Sequence, residues 1–93
     1  MFTKQNNNVL VENINILELV KKIEPPAYIY SKRKIIENVK TLKSGLKKVD
    51  GLICFSVKAN SNLNLLKVLV SEGLGMDIVS GGELRKALLA GCN

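Results

Sequence analysis

From residue 32 onward the apolar residues switch spacing repeatedly, and that alternation leaves few folds open to the chain. In "SKRKIIENVKTLKSGLKK", Ile35, Val39, Leu42 and Leu46 recur at helical intervals while lysines fill the other faces. Gly51 then precedes "LICFSVK", a seven-residue run of strand-forming character. Asn62 opens a second helical pattern, "LNLLKVLVSEG", which Gly73 closes. "MDIVS" reads as a second strand, and "GGELRKALLAG" as a helix stopped by Gly91. The order is helix, strand, helix, strand, helix. Strands separated by helices of this length pair in parallel, with right-handed crossovers and helices covering the sheet. The predicted class is therefore α/β.

Upstream the signals are shorter. "VLVE" is a brief apolar piece, and "INILELVKKI" puts Ile16, Leu19, Val20 and Ile23 on one helical face. "PPAYIY" is predicted to be a strand opened by prolines, and Ser31 to cap the basic helix that follows. Residues 1–31 thus form an N-terminal extension with one strand, and residues 32–93 the alternating unit.

Ninety-three residues make at most one small domain. No apolar run approaches the 18 or so residues of a membrane span, and "MFTKQNNN" lacks the apolar core of a signal peptide, which points to the cytoplasm. Cys54 and Cys92 give neither a disulfide framework nor metal-ligand spacing, and the chain has no His. The net charge of +6 invites a nucleic-acid partner, but most of it lies on the predicted helix after Ser31, with no aromatics interleaved to stack bases. A solvated outer helix face accounts for that pattern, so a nucleic-acid partner is not expected.

Lys58 needs a different account, because it ends an apolar strand. Side chains alternate across a strand, so Ile53, Phe55 and Val57 share a large apolar face while Cys54, Ser56 and Lys58 share the other. In a parallel barrel the second face points inward and the C-terminal strand ends form the mouth where catalytic groups collect. Partial burial there turns a lysine into a nucleophilic amine able to condense with a carbonyl. A lysine snorkelling at a strand end fits the same pattern. In "GMDIVS", Met76 and Ile78 face outward, leaving Asp77 and Val79 on the side of Lys58. Asp77 can pair with the amine or steer protons there, or it is a solvated carboxylate. In "SGGE", Ser80 and Glu83 fit a capping box, and this is preferred to a phosphate held by the backbone N–H groups of Gly81 and Gly82.

Taken in order and at these separations, "PPAYIY", "FSVKANSN", "EGLGMDIVSGGEL" and "ALLAG" resemble the N-terminal part of the diaminopimelate decarboxylase family. That family belongs to the fold-type III, pyridoxal-phosphate-dependent decarboxylases, with the ornithine and arginine decarboxylases of the same fold. The resemblance covers about Pro25 to Asn93. It implies the first strand-helix units of a (β/α)8 TIM-type barrel, preceded by a helix and a strand that join a C-terminal β-domain. It also implies that Lys58 forms the Schiff base with pyridoxal 5'-phosphate, that Asp77 lies beside it, and that Glu83 lies near the same pocket. Where family members commonly carry Ala before "VKAN", this chain has Ser56.

The activity so implied is release of carbon dioxide from meso-diaminopimelate to give lysine, by a homodimer acting on an amino-acid substrate. The family's ring-stacking His, phosphate-binding glycine loop, pyridine-contacting acid and substrate-binding Arg, Cys and Tyr come later in its sequences than the segment matched here. A complete barrel takes roughly 250 residues. The chain is accordingly expected to be inactive alone. A non-catalytic product of a truncated or split gene is the alternative, and a small basic nucleic-acid binder is a third possibility resting on charge alone.

Overall fold

A computed structural model describes residues 2–93, in which two compact units, Met1–Glu37 and Asn38–Asn93, are distinguished. The first holds an antiparallel sheet that the apolar pattern did not reveal. Strands β1 (Phe2–Gln5), β2 (Asn8–Val11) and β3 (Ile14–Asn15) lie in that order. Gln5 pairs with Asn8 and Val11 with Ile14, so each hairpin loop has two residues. All four loop residues, Asn6, Asn7, Glu12 and Asn13, have positive φ. That is the type I′ arrangement whose twist matches paired strands, and three of the four are Asn, which tolerates the left-handed region.

Helix α1 (Ile16–Val20) follows, with the Asn15 side chain accepting from the Leu17 N–H at 2.8 Å. It covers half of the stretch predicted to be helical; Ile16, Leu19 and Val20 form its half-buried side, and Ile23, also half-buried, lies beyond its end. "PPAYIY" is not a strand: no regular structure is assigned from Ala27 to Ser31, and Tyr28 is 92% exposed. Prolines donate no N–H, and nothing among the described residues pairs with this segment, so β propensity alone does not make it a strand.

Helix α2 (Lys32–Gly45) starts where the sequence predicted. The Lys34 N–H donates to Ser31 Oγ at 3.1 Å. Glu12 completes the cap, its Oε1 accepting from the Arg33 N–H at 2.7 Å and from the Ser31 hydroxyl at 2.8 Å. The Arg33 N–H, and after it the Ser31 hydroxyl, hold the Glu12 carboxyl below its ordinary pKa. The folded state therefore binds this proton less readily than the unfolded one. Its stabilisation is fully present above the ordinary glutamate pKa of about 4.3 and is lost as pH falls through the lowered folded value. Glu12→Gln is expected to remove that acid-side dependence and to speed amide exchange at Arg33 even at pH 7, both readable by NMR.

The second unit is built on two parallel strands, β4 (Cys54–Ser56) and β5 (Gly75–Asp77). Their register opposes Cys54 to Gly75, Phe55 to Met76 and Ser56 to Asp77. Alternation therefore gives one apolar face and one of small and polar groups, as the sequence predicted. On the apolar side Phe55, Met76 and Ile78 pack against a core of Val57, Leu66 and Ala90. On the other, a Cβ added at Gly75 would lie 2.9 Å from Cys54 Sγ, so glycine permits the close approach there.

Helices α3 (Leu63–Ser71) and α4 (Gly81–Leu89) supply the remaining core residues, including the fully buried Leu66. Full burial of such a side chain stabilises by about 1.5–3 kcal/mol. Both helices end in a Schellman motif. After α3 the Gly73 N–H donates to Val70 O at 2.9 Å and the Leu74 N–H to Leu69 O at 3.1 Å, with Gly73 at φ +86°. After α4 the Gly91 N–H donates to Leu88 O and the Cys92 N–H to Ala87 O, both at 3.0 Å. Lys43 also donates its ammonium to Glu72 O.

A Cβ at Gly73 would meet Lys43 Nζ at 3.1 Å, the movable end of a flexible side chain. The positive φ is the larger obstacle. Gly73→Ala is expected to weaken this helix end by about 1–2 kcal/mol, read as faster amide hydrogen exchange at Leu74. Exchange at Leu74 equal to that of the parent would contradict this account of the helix end.

Candidate functional site

The candidate residues collect at one place because both strands of a parallel pair end at the same edge. Ser56 and Asp77 are the last residues of β4 and β5 and stand opposite one another. The Ser56 hydroxyl donates to Asp77 Oδ2 at 2.6 Å. That distance falls in the range of charge-assisted O–H···O⁻ bonds.

Lys58 lies two residues further on, in a 3-10 turn over Val57–Ala59 and not in the strand. The strand predicted over residues 52–58 is therefore shorter and ends at Ser56. The physical reason is Val57, whose side chain is fully buried in the core. In a 3-10 turn successive side chains diverge by a third of a revolution, so burying Val57 sends Lys58 outward. Lys58 is exposed, and the partial burial predicted for its amine is not supplied by this unit.

Backbone and side-chain bonds define the loop that carries Lys58. The Asn60 N–H donates to Val57 O at 3.1 Å and the Asn62 N–H to Asn60 Oδ1 at 3.0 Å. Asn62 Oδ1 then caps α3, accepting from Asn64 N at 2.9 Å and Leu65 N at 3.4 Å. From α4, Lys86 Nζ donates to both the carbonyl and the hydroxyl oxygen of Ser61 at 3.2 Å. Asn62 was legible in the sequence as the start of a helical pattern, but the role of Asn60 and Asn62 in ordering the lysine loop was not.

Glu83 sits in the first turn of α4, and of the preferred capping box the Ser80 half is present, Glu83 engaging the Ser80 hydroxyl. The Glu83 N–H donates to Ser80 Oγ at 3.1 Å and the Ser80 hydroxyl donates to Glu83 Oε2 at 3.0 Å. Glu83 Oε1 is buried with no hydrogen-bond partner.

The edge therefore brings together Ser56 with Asp77 and Ser80 with Glu83. No hydrogen bond or ion pair among the described residues joins Lys58 to Asp77 or to Glu83: of the readings the sequence left open for Asp77, pairing with the amine is not seen, and its carboxylate takes the Ser56 hydroxyl. Ser56, placed by the sequence on the strand face of Lys58 and noted as a departure from alanine, makes the contact that sequence reasoning missed. The strand register is what reveals it.

Residues 32–93 match the family described as "Pyridoxal-dependent decarboxylase, pyridoxal binding domain". Over 90 residues the chain is 39% identical to a diaminopimelate decarboxylase of Pseudomonas fluorescens, an alignment covering 97% of this chain and 22% of the relative. A crystal structure of an Aquifex aeolicus protein superposes with a TM-score of 0.84 at 37% identity, covering 98% of this chain and 22% of that one. The crystal structure of a diaminopimelate decarboxylase from M. jannaschi gives a TM-score of 0.80 at 29% identity, with coverages of 97% and 22%. The chain thus spans about a fifth of the length of the proteins it matches.

Proposed function

The chain belongs to the pyridoxal-dependent decarboxylases, through their pyridoxal-binding domain, and we propose that it is the N-terminal part of a diaminopimelate decarboxylase acting in lysine formation. Residues 32–93 contribute the first strand-helix units of a (β/α)8 barrel, and residues 1–31 an extension belonging to the β-domain. The observation that carries the proposal is the common edge of β4 and β5, where an exposed amine, a carboxylate and a helix N-terminus follow directly on two parallel strand ends. Parallel α/β folds collect their catalytic groups at that end.

The residues present fit pyridoxal 5'-phosphate. Lys58 offers an exposed amine that no ion pair among the described residues occupies, so it is open to condensation with a carbonyl. The buried, unpartnered Glu83 Oε1 is an acceptor awaiting a donor, and a bound group with an N–H or O–H supplies one. Lys58 and Asp77 would hold the cofactor, with Glu83 at the border of the same pocket. The chemistry supplied by pyridoxal phosphate, when bound, is that of an electron sink for decarboxylation.

The chain's own residues divide the remaining work. Lys58 anchors through Nζ, Asp77 places a negative charge at the same edge, and the asparagine turn with Lys86 fixes the loop. The substrate is an amino acid, meso-diaminopimelate, and the working enzyme is a homodimer. Neither activity nor cofactor retention is expected of the 93 residues alone.

The experiment is borohydride trapping with pyridoxal phosphate followed by peptide mapping. It is performed on a chimera in which these 93 residues replace the corresponding segment of the Pseudomonas fluorescens diaminopimelate decarboxylase. Label confined to Lys58 is expected there, and label scattered over many lysines in the isolated chain. Stoichiometric label at Lys58 in the isolated chain would overturn the view that it cannot hold the cofactor. Label at another lysine of the chimera would overturn the assignment of Lys58.

A further inference from the structure

Every group placed at the β4–β5 edge by sequence has a role in the reading above except Ser56, and its bond to Asp77 is a specific one. The two residues are directly opposed in a parallel ladder, on the same face and at the last position of each strand. A serine hydroxyl has one proton to donate, and here it goes to Asp77 Oδ2 at 2.6 Å. No other hydrogen bond to the Asp77 side chain is found among the described residues, so this contact is what restrains the carboxylate. An alanine at position 56 would leave the Asp77 side chain free to rotate in solvent.

We propose that Ser56 is a positioning residue for Asp77, its hydroxyl engaging Oδ2 and thereby leaving Oδ1 as the acceptor presented at the edge where Lys58 lies. The proposal rests on the reading that Lys58 anchors the cofactor and Asp77 lies beside it. It adds a residue that acts on the site through Asp77 and touches neither cofactor nor substrate itself. The strand ladder sets the distance between the two residues, so the orientation is built in before any ligand arrives.

The test has two arms. Asp50 and Asp77 are the aspartates in the sequence, so selective ¹³C labelling of the aspartate carboxyl yields two signals, which Asp77→Asn assigns. Magic-angle spinning reads them in the 93-residue chain whether or not it associates. Ser56→Ala is expected to move the Asp77 signal and leave Asp50 in place, and Ser56→Thr, which keeps a hydroxyl, to restore it.

In the chimera, Ser56→Ala is expected to lower both decarboxylation and the rate of borohydride trapping at Lys58 by roughly three- to tenfold, with rescue by Ser56→Thr. An Asp77 signal unmoved by Ser56→Ala overturns the proposal. So does a moved signal with unchanged trapping and turnover, which leaves the Lys58 assignment standing. Failure of the unmutated chimera to take label at Lys58 overturns the underlying reading, and the positioning role with it, whatever the carboxyl signals show.

Discussion

Lys58→Ala in the chimera is expected to abolish borohydride-dependent labelling and to lower decarboxylation by roughly three orders of magnitude or more, the scale on which loss of a covalent anchor acts. Lys58 is the exposed middle residue of a turn whose first residue, Val57, is locked in the core, so the loop keeps its place when the side chain is shortened. The loss therefore reports chemistry and not unfolding, and an unchanged circular dichroism spectrum checks that. Neighbouring lysines do not substitute, because an effective covalent reaction needs the amine in near-attack geometry. Lys67 and Lys86 stand on α3 and α4, and Lys86 is already engaged by Ser61. Retention of even a tenth of the activity in Lys58→Ala would remove Lys58 from the mechanism.

The second large effect concerns the 93-residue chain made by itself, which is expected to associate and not to behave as a monomer. Among the described residues β4 pairs only with β5, so each strand of this parallel pair keeps one open edge. Parallel sheets are normally covered on both faces, and open edges are templates for pairing with other chains. Apolar side chains add to this: Leu52 and Val79 are each 70% exposed. On α4, Leu84, Leu88 and Leu89 line an open groove of about 460 Å³ together with Gly81 and Arg85. Size-exclusion chromatography with light scattering should show a broad, concentration-dependent species, and urea should melt it without a sharp transition. A narrow monomer peak with cooperative unfolding would mean that the second unit is self-sufficient.

Much of the second unit was legible in the sequence because its signals are local and agree with one another. Asn62, Ser80, Gly73 and Gly91 mark helix ends through hydrogen bonds within a few residues, and all four do so in the structure. The apolar face of Phe55, Met76 and Ile78 follows from strand alternation and packs as that alternation requires. The first unit was less legible, for reasons that are also physical. Its hairpins turn on Asn6–Asn7 and Glu12–Asn13, pairs without the glycine that normally announces a type I′ turn. "PPAYIY" failed in the opposite direction, having strand composition but no partner for its backbone among the described residues.

By itself, then, the sequence determined the α/β order, the caps and stops of its helices, and the two faces of its strands, since each depends on residues close in the chain. It also carried the family, through "FSVKANSN" and "GMDIVSGGEL". Tertiary structure decided the rest. Burial of Val57 ended β4 early and turned Lys58 out of the strand, a choice made by core packing and not by strand propensity. The parallel register placed Ser56 against Asp77, and a bond between residues 21 positions apart depends on how two strands align, which no local pattern encodes. The same holds for Glu12, whose carboxylate reaches the start of α2 only because two tight hairpins bring it there.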